Sequence, residues 1–200
     1  MTHKTFSMYE YLTALSPVLR NNPKRADDIA NSFSATQFKS KKWLVDELCK
    51  QDIPPNPRIL ILGGWYGSFL IPMLFERLNP SSVILTDIDE VTLSIASQLH
   101  RDRPQCSFAI LDVDSPQQQF DVDIIINTSC EHMNSFGEKV SLNAKCLYVL
   151  QSCDNSNDPG HINTISSTAD FLFKVSFLKV LFSGRQNLGH KNRFMAIGVK

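Results

Sequence analysis

No apolar run in this 200-residue chain reaches the roughly 18 residues that a membrane-crossing helix needs. The polar start Met1-Thr2-His3-Lys4 likewise lacks the apolar stretch of a secretory signal. Both absences point to a cytoplasmic protein with no membrane partner. Cysteine motifs are missing too: Cys49, Cys106, Cys130, Cys146 and Cys153 are odd in number and contain no C-x-x-C pair. That argues against a disulfide framework or a zinc ribbon and for reduced, mostly buried thiols. Charge of one sign is not in excess, because 20 Lys and Arg face 20 Asp and Glu, and no whole-molecule field gathers nucleic acid. Residues 1 to 42 alone hold seven basic against three acidic side chains, a local excess that leaves such a partner open.

What is present is an ordinary globular composition, 42% apolar and 20% charged, in a length that supplies one sizeable core. Phe6, Tyr9, Leu12 and Leu15, then Phe38, Trp43, Leu44 and Leu48, recur at helical spacing, with breaks expected at Ser16-Pro17 and Asn21-Asn22-Pro23. From Arg58 the pattern changes to short runs apolar on nearly every residue: 59–62, 83–85, 108–111, 123–126 and 146–150. Such runs fit strands covered on both faces, as in a parallel sheet. Residues 68–78, 90–99 and 130–140 have the length and periodicity of crossover helices, and residues 180–182 and 194–199 read as a closing hairpin. The expected fold is α/β, a doubly wound, seven-stranded, mostly parallel sheet with the last strand antiparallel. Residues 1–52 form an N-terminal helical cap on residues 53–200, together one structural unit.

In such a sheet a ligand sits beyond the carboxyl ends of the strands. After the first run come Gly63, Gly64 and Gly67, a turn that lets a ligand approach the backbone at a helix start. After the second comes Asp87, placed to accept both hydroxyls of a ribose, and after the third Asp112, placed beside an adenine edge.

These residues, in the stretches Ile59-Leu60-Ile61-Leu62-Gly63-Gly64-Trp65-Tyr66-Gly67, Leu85-Thr86-Asp87-Ile88-Asp89 and Leu111-Asp112-Val113, resemble the class I S-adenosylmethionine-dependent methyltransferases. The resemblance covers roughly residues 58 to 200. It implies S-adenosyl-L-methionine as cofactor, held by Gly63, Gly64, Trp65, Tyr66, Gly67, Asp87, Ile88, Asp112, Val113 and Asn127. Two departures stand out. Ile61 replaces the family's usual acid and Trp65 a usual glycine. Trp65 and Tyr66 either shape the pocket with their rings or pack beneath the cap.

The fourth run leads into Asn127-Thr128-Ser129-Cys130-Glu131-His132-Met133, which in the resembled family faces the transferable methyl group. Asn127, Glu131 and His132 are the candidate catalytic residues, by hydrogen bonding, proton acceptance and titration near neutrality. Residues two apart on a helix diverge, so Cys130 and His132 do not read as a nucleophile pair. The stretch from Asp154 to His161 is either a substrate loop contributing His161 and Asn163 or a plain connection. No short-spacing ligand pair supports a metal site. Tyr148, Gln151 and Ser152 are placed to reach the pocket, and Lys39-Ser40-Lys41-Lys42 reads as a solvated helix start more readily than as a phosphate contact.

The expected function is methyl transfer to a small-molecule or nucleic-acid acceptor. Aminocarboxypropyl transfer from the same cofactor and a non-catalytic binding subunit are the alternatives. A dinucleotide oxidoreductase is disfavoured because the glycine spacing does not match G-x-G-x-x-G.

Overall fold

Seven strands form one sheet: β1 (Arg58–Leu62), β2 (Ser82–Asp87), β3 (Cys106–Ile110), β4 (Ile124–Asn127), β5 (Leu147–Cys153), β6 (Lys179–Asn187) and β7 (Asn192–Val199). Their order is β3-β2-β1-β4-β5-β7-β6, with β7 antiparallel to both its neighbours and the other pairings parallel. The structure, a computed structural model, describes residues 8–116, 118–143, 145–158 and 160–200. Residues Met1–Lys4, Phe6 and the side chain of Tyr9 lie outside the described residues. Among those described, no helix is long and apolar enough to cross a membrane.

The two-sided apolar pattern has the expected cause. Ile59 and Ile61 of β1 point to one face, where they pack with α3 (Ala35–Leu48), α4 (Leu70–Leu78) and α5 (Glu90–Leu99); Leu60 and Leu62 point to the other, toward Phe136, Phe171 and Phe194. Both faces of β1 are therefore dry, and Ile59, Leu60, Ile61 and Leu62 are all fully buried. The cap begins with α1 (Met8–Asn21), which runs through Pro17 instead of stopping there. Pro17 is exposed while Ala14 and Val18 are buried, so packing of the inner face outweighs the one lost amide donor. Leu12 of the expected stripe is 54% exposed. The break at Asn22-Pro23 does occur, as a single 3-10 turn over Pro23–Arg25 ahead of α2 (Ala26–Ser32).

Helices α4 and α5 lie where the periodicity places them. The helix expected over residues 130–140 does not form. A 3-10 turn, Cys130–His132, gives way to a loop in which Asp114 accepts from the amides of Asn134 (3.0 Å) and Ser135 (2.7 Å), and Gly137 has φ +102°. Asn, Ser and Gly offer the backbone partners other than a helix, and here they prevail. Phe136 and Val140 from this loop, with Phe171 of α6 (Thr168–Lys174), cover the sheet instead.

His100 closes α5, fully buried, and its Nε2–H donates to the Tyr66 carbonyl at 2.9 Å. Burial, only partly opposed by that bond, pushes its pKa down to about 4. The unfolded chain then protonates first as pH falls. Stability is full above pH 6.5 and declines by about 2 to 3 kcal/mol on the way to pH 4. Urea unfolding at pH 7 and pH 4.5 should record that decline, and His100→Gln, which keeps a donor for Tyr66, should reduce it.

Candidate functional site

The turn after β1 is shaped by backbone that favours glycine. Gly63 and Gly67 have φ +53° and +63°, and a Cβ on Gly63 would meet Met133 Cε at 2.3 Å. Trp65 shares this left-handed conformation (φ 52°), which a non-glycine residue holds only when its surroundings enforce it. They do: its amide donates to Asp87 Oδ2 (3.0 Å), its indole to Asp28 Oδ2 (3.3 Å), and its ring stacks on Tyr66 at 5.3 Å. Tyr66 is buried among Val18, Ile29, Ile95 and Leu99 with its hydroxyl on Asp28 (2.6 Å), so its ring packs beneath the cap.

Asp87 ends β2 with its other oxygen on the amide of Asp89 (3.2 Å), and burial raises its pKa against the pull of these amides. Asp89 itself caps α5, accepting from Val91 N at 2.9 Å. Ile88 stands 72% exposed beside it.

A cavity of about 640 Å³ runs along these strand ends. Gly63, Gly64, Trp65, Gly67, Asp87, Ile88, Asp112 and Val113 line its first half. Tyr66 and Asn127 are not among the lining residues. Asn127 is buried, accepts from Ser129 N (3.0 Å) and donates to Phe136 O (3.4 Å), thereby shaping the loop after β4. Asp28, from the cap, lines the wall near Ser32 and Ser68. Ile61 is in the core, and α2 brings a second acid to the turn: Asp28, which holds the side chains of Trp65 and Tyr66.

The other half is lined by Gln37, Lys41, Thr128, Glu131, His132, Asp158, His161, Lys191 and Arg193. Glu131 and Arg193 form a buried ion pair, and Arg193 also donates to the Thr128 carbonyl. Burial opposes ionisation of Glu131, but the guanidinium holds its pKa below the usual value. Burial also pushes the Lys41 ammonium down to about 7, with Arg193 adding to the shift and Glu131 opposing it. Lys41 thus faces the cavity, contrary to the solvated helix start expected of it; Lys42, one position on, pairs with Asp46 at 2.5 Å.

His132 and His161 meet edge to face, 4.6 Å between ring centroids. Cys130 is buried with its thiol toward Asn127 O, while His132 turns to Gly160 O, so the two form no pair. Tyr148, Gln151 and Ser152 are buried and do not line the cavity. Gln151 bonds Ser40 instead, at 3.0 Å. Asp28, Lys191 and Arg193 were not legible as site residues, since each reaches the cavity only through contacts distant in sequence.

No protein-family model and no curated protein matches the chain. Solved structures do. It is similar to the magnesium protoporphyrin IX methyltransferase of Synechocystis PCC 6803 with bound SAH, at TM-score 0.63 and 15% identity over 82% of this chain and 84% of that one. It is also similar to the N-methyltransferase NodS of Bradyrhizobium japonicum WM9, at TM-score 0.64 and 12% identity over 84% and 98%. At such identities the likeness is one of architecture, and the chain has the Rossmann-like fold of the class I S-adenosylmethionine-dependent methyltransferases.

Proposed function

We propose that the chain is an S-adenosylmethionine-dependent methyltransferase whose acceptor, a small molecule or a nucleic-acid group, carries negative charge. The observation that carries this reading is the Asp87 carboxylate, fixed by two amides one strand away from the left-handed glycine turn, on the wall of a cavity of about 640 Å³. That volume lies within the range of small-molecule sites. When bound, S-adenosylmethionine supplies a methyl group on a sulfonium sulfur. Asp87 would accept the ribose hydroxyls, Asp112 would face the adenine edge, and Ile88 and Val113 would flank the ring. The backbone of Gly63, Gly64 and Gly67 would run beside the methionine portion. SAH in the Synechocystis neighbour supports that choice of ligand.

With an isoleucine at position 61, the methionine ammonium needs another anion, and Asp28 is the acid that the cap brings to that wall. Asp28→Asn, which keeps an acceptor for the Tyr66 hydroxyl, is expected to weaken S-adenosylmethionine binding about tenfold, the effect of losing one charge-assisted contact. Calorimetric titration reads it directly.

Methyl transfer is an in-line displacement, so alignment dominates and a proton acceptor is needed only when the acceptor is protonated. Glu131 and His132 would contact the acceptor, and Asn127 would position the loop that carries them. Lys41, Lys191 and Arg193 on the same wall, against Glu131 and Asp158, favour an anionic acceptor.

The test is calorimetry with S-adenosylmethionine and, separately, NAD. Binding of the first alone is expected, and its absence would leave a non-catalytic subunit. Transfer of label from methyl-labelled but not carboxyl-labelled cofactor then separates methyl from aminocarboxypropyl transfer.

A further inference from the structure

We propose that Glu131, His132 and His161 hold one divalent transition-metal ion at the acceptor end of the cavity. One ligand atom from each lies within 4.8 Å of the other two, and all three side chains line the cavity.

Two observations distinguish this from a chance meeting of polar groups. Glu131 is 4% exposed and gives one carboxylate oxygen to Arg193, while its Oε2 is buried with no hydrogen-bond partner among the described residues. A buried anionic oxygen without a donor is unfavourable, and a cation removes the deficit. The two rings are also anchored through the same nitrogen. Nδ1 of His132 bonds the Gly160 carbonyl at 2.9 Å, and Nδ1 of His161 bonds the Asn155 carbonyl. A carbonyl only accepts, so Nδ1 carries the hydrogen in both rings and Nε2 keeps its lone pair. Metal-ligating histidines are held in this way, one nitrogen fixed to a backbone oxygen and the other left basic.

Two imidazoles and one carboxylate suit zinc or another first-row dication. Three protein ligands leave a coordination position for an oxygen from the cavity. Ligands bound at about 2.1 Å around zinc stand about 3.4 Å apart, so closure requires side-chain shifts of about 1 Å. Arg193, Lys41 and Lys191 are the opposing charges on this wall. Arg193 is engaged by the other oxygen of Glu131, and Asp158, 3.7 Å from His161 Nε2, adds negative charge. The site stands on this geometry alone. Its use rests on the methyltransferase reading: a metal-bound acceptor hydroxyl is acidified and releases its proton to water, leaving an oxygen nucleophile.

Zinc titrated into the metal-free protein by calorimetry, without S-adenosylmethionine, tests the site. One equivalent is expected to bind, with His132→Ala and His161→Ala each weakening it at least about tenfold and His190→Ala leaving it unchanged. Cobalt should give a visible spectrum without a thiolate charge-transfer band. No binding, a thiolate band, or binding indifferent to both substitutions would overturn the proposal. His132 is exposed, so its alanine variant does not disturb the core. S-adenosylmethionine titrated into the same samples separates the two readings, because loss of cofactor binding in the wild type refutes the transferase and leaves the zinc result standing.

Discussion

Asp87→Ala is expected to weaken S-adenosylmethionine binding about a thousandfold while leaving the protein folded. Two ribose hydroxyls on one carboxylate are charge-assisted hydrogen bonds worth about 2 kcal/mol each, and their loss together is about 4 kcal/mol. Alanine also releases the Trp65 amide, so the left-handed turn loses the contact that braces it from β2. Asp87→Asn keeps one acceptor oxygen and should fall between, about thirtyfold weaker than wild type. Calorimetry measures both, and wild-type affinity in the alanine variant would remove the nucleoside site from this cavity. The pH dependence follows from the same residue. Burial raises the Asp87 pKa, with the amides of Asp89 and Trp65 opposing, and the ionised form is the one that binds. Affinity should be full at neutral pH and decline on acidification at a higher pH than an unperturbed aspartate would give.

The sheet was legible because its cause is local: a strand buried on both faces must be apolar at most positions, and β1, β4 and β5 are, while β2 shows the apolar run Val83-Ile84-Leu85 at its centre. The turn glycines and Asp87 were legible because they follow those strands directly. Residues 130–140 misled because apolar spacing there serves a loop that drops Phe136 and Val140 onto the sheet without a helix. Helix α6, capped by Ser167 accepting from Asp170 N at 3.1 Å, was not legible, because its seven residues make only two turns and bury one side chain fully, Phe171. Lys39, Lys41 and Lys42 look equivalent in sequence, yet at 100° per residue they leave α3 in different directions, and Lys41 is the one that lines the cavity. His132 and His161 meet because the loop after β5 folds over the end of β4, and Arg193 reaches Glu131 from the far arm of a hairpin. Such pairings leave no mark in local pattern.

Arg193→Met should cost about 3 to 5 kcal/mol of folding stability, because it leaves the Glu131 carboxylate buried without its countercharge. For a chain of this length that corresponds to a fall of roughly 6 to 20 °C in melting temperature. Glu131→Gln strands the guanidinium instead and should be costly for the same reason. The double variant, Glu131→Gln with Arg193→Met, removes both charges together and should recover most of the loss, since a buried ion pair contributes little over a neutral replacement of similar size. Urea denaturation of the four proteins closes the cycle; near-additive losses would show that the pair is not what each substitution breaks. The pH course has a defined sign. Arg193 holds Glu131 below the ordinary carboxylate value, so the pair's contribution is present above the unfolded pKa and is lost as pH falls through the folded one. A pair that adds so little net stability, sited where the loop after β4 meets β7 at the cavity, would serve the proposed transferase by what it presents: a fixed cation toward the acceptor and a carboxylate oxygen without a partner among the described residues. The double variant should therefore fold nearly as well as wild type and fail to turn over an anionic acceptor, a separation of stability from activity that a purely structural ion pair would not produce.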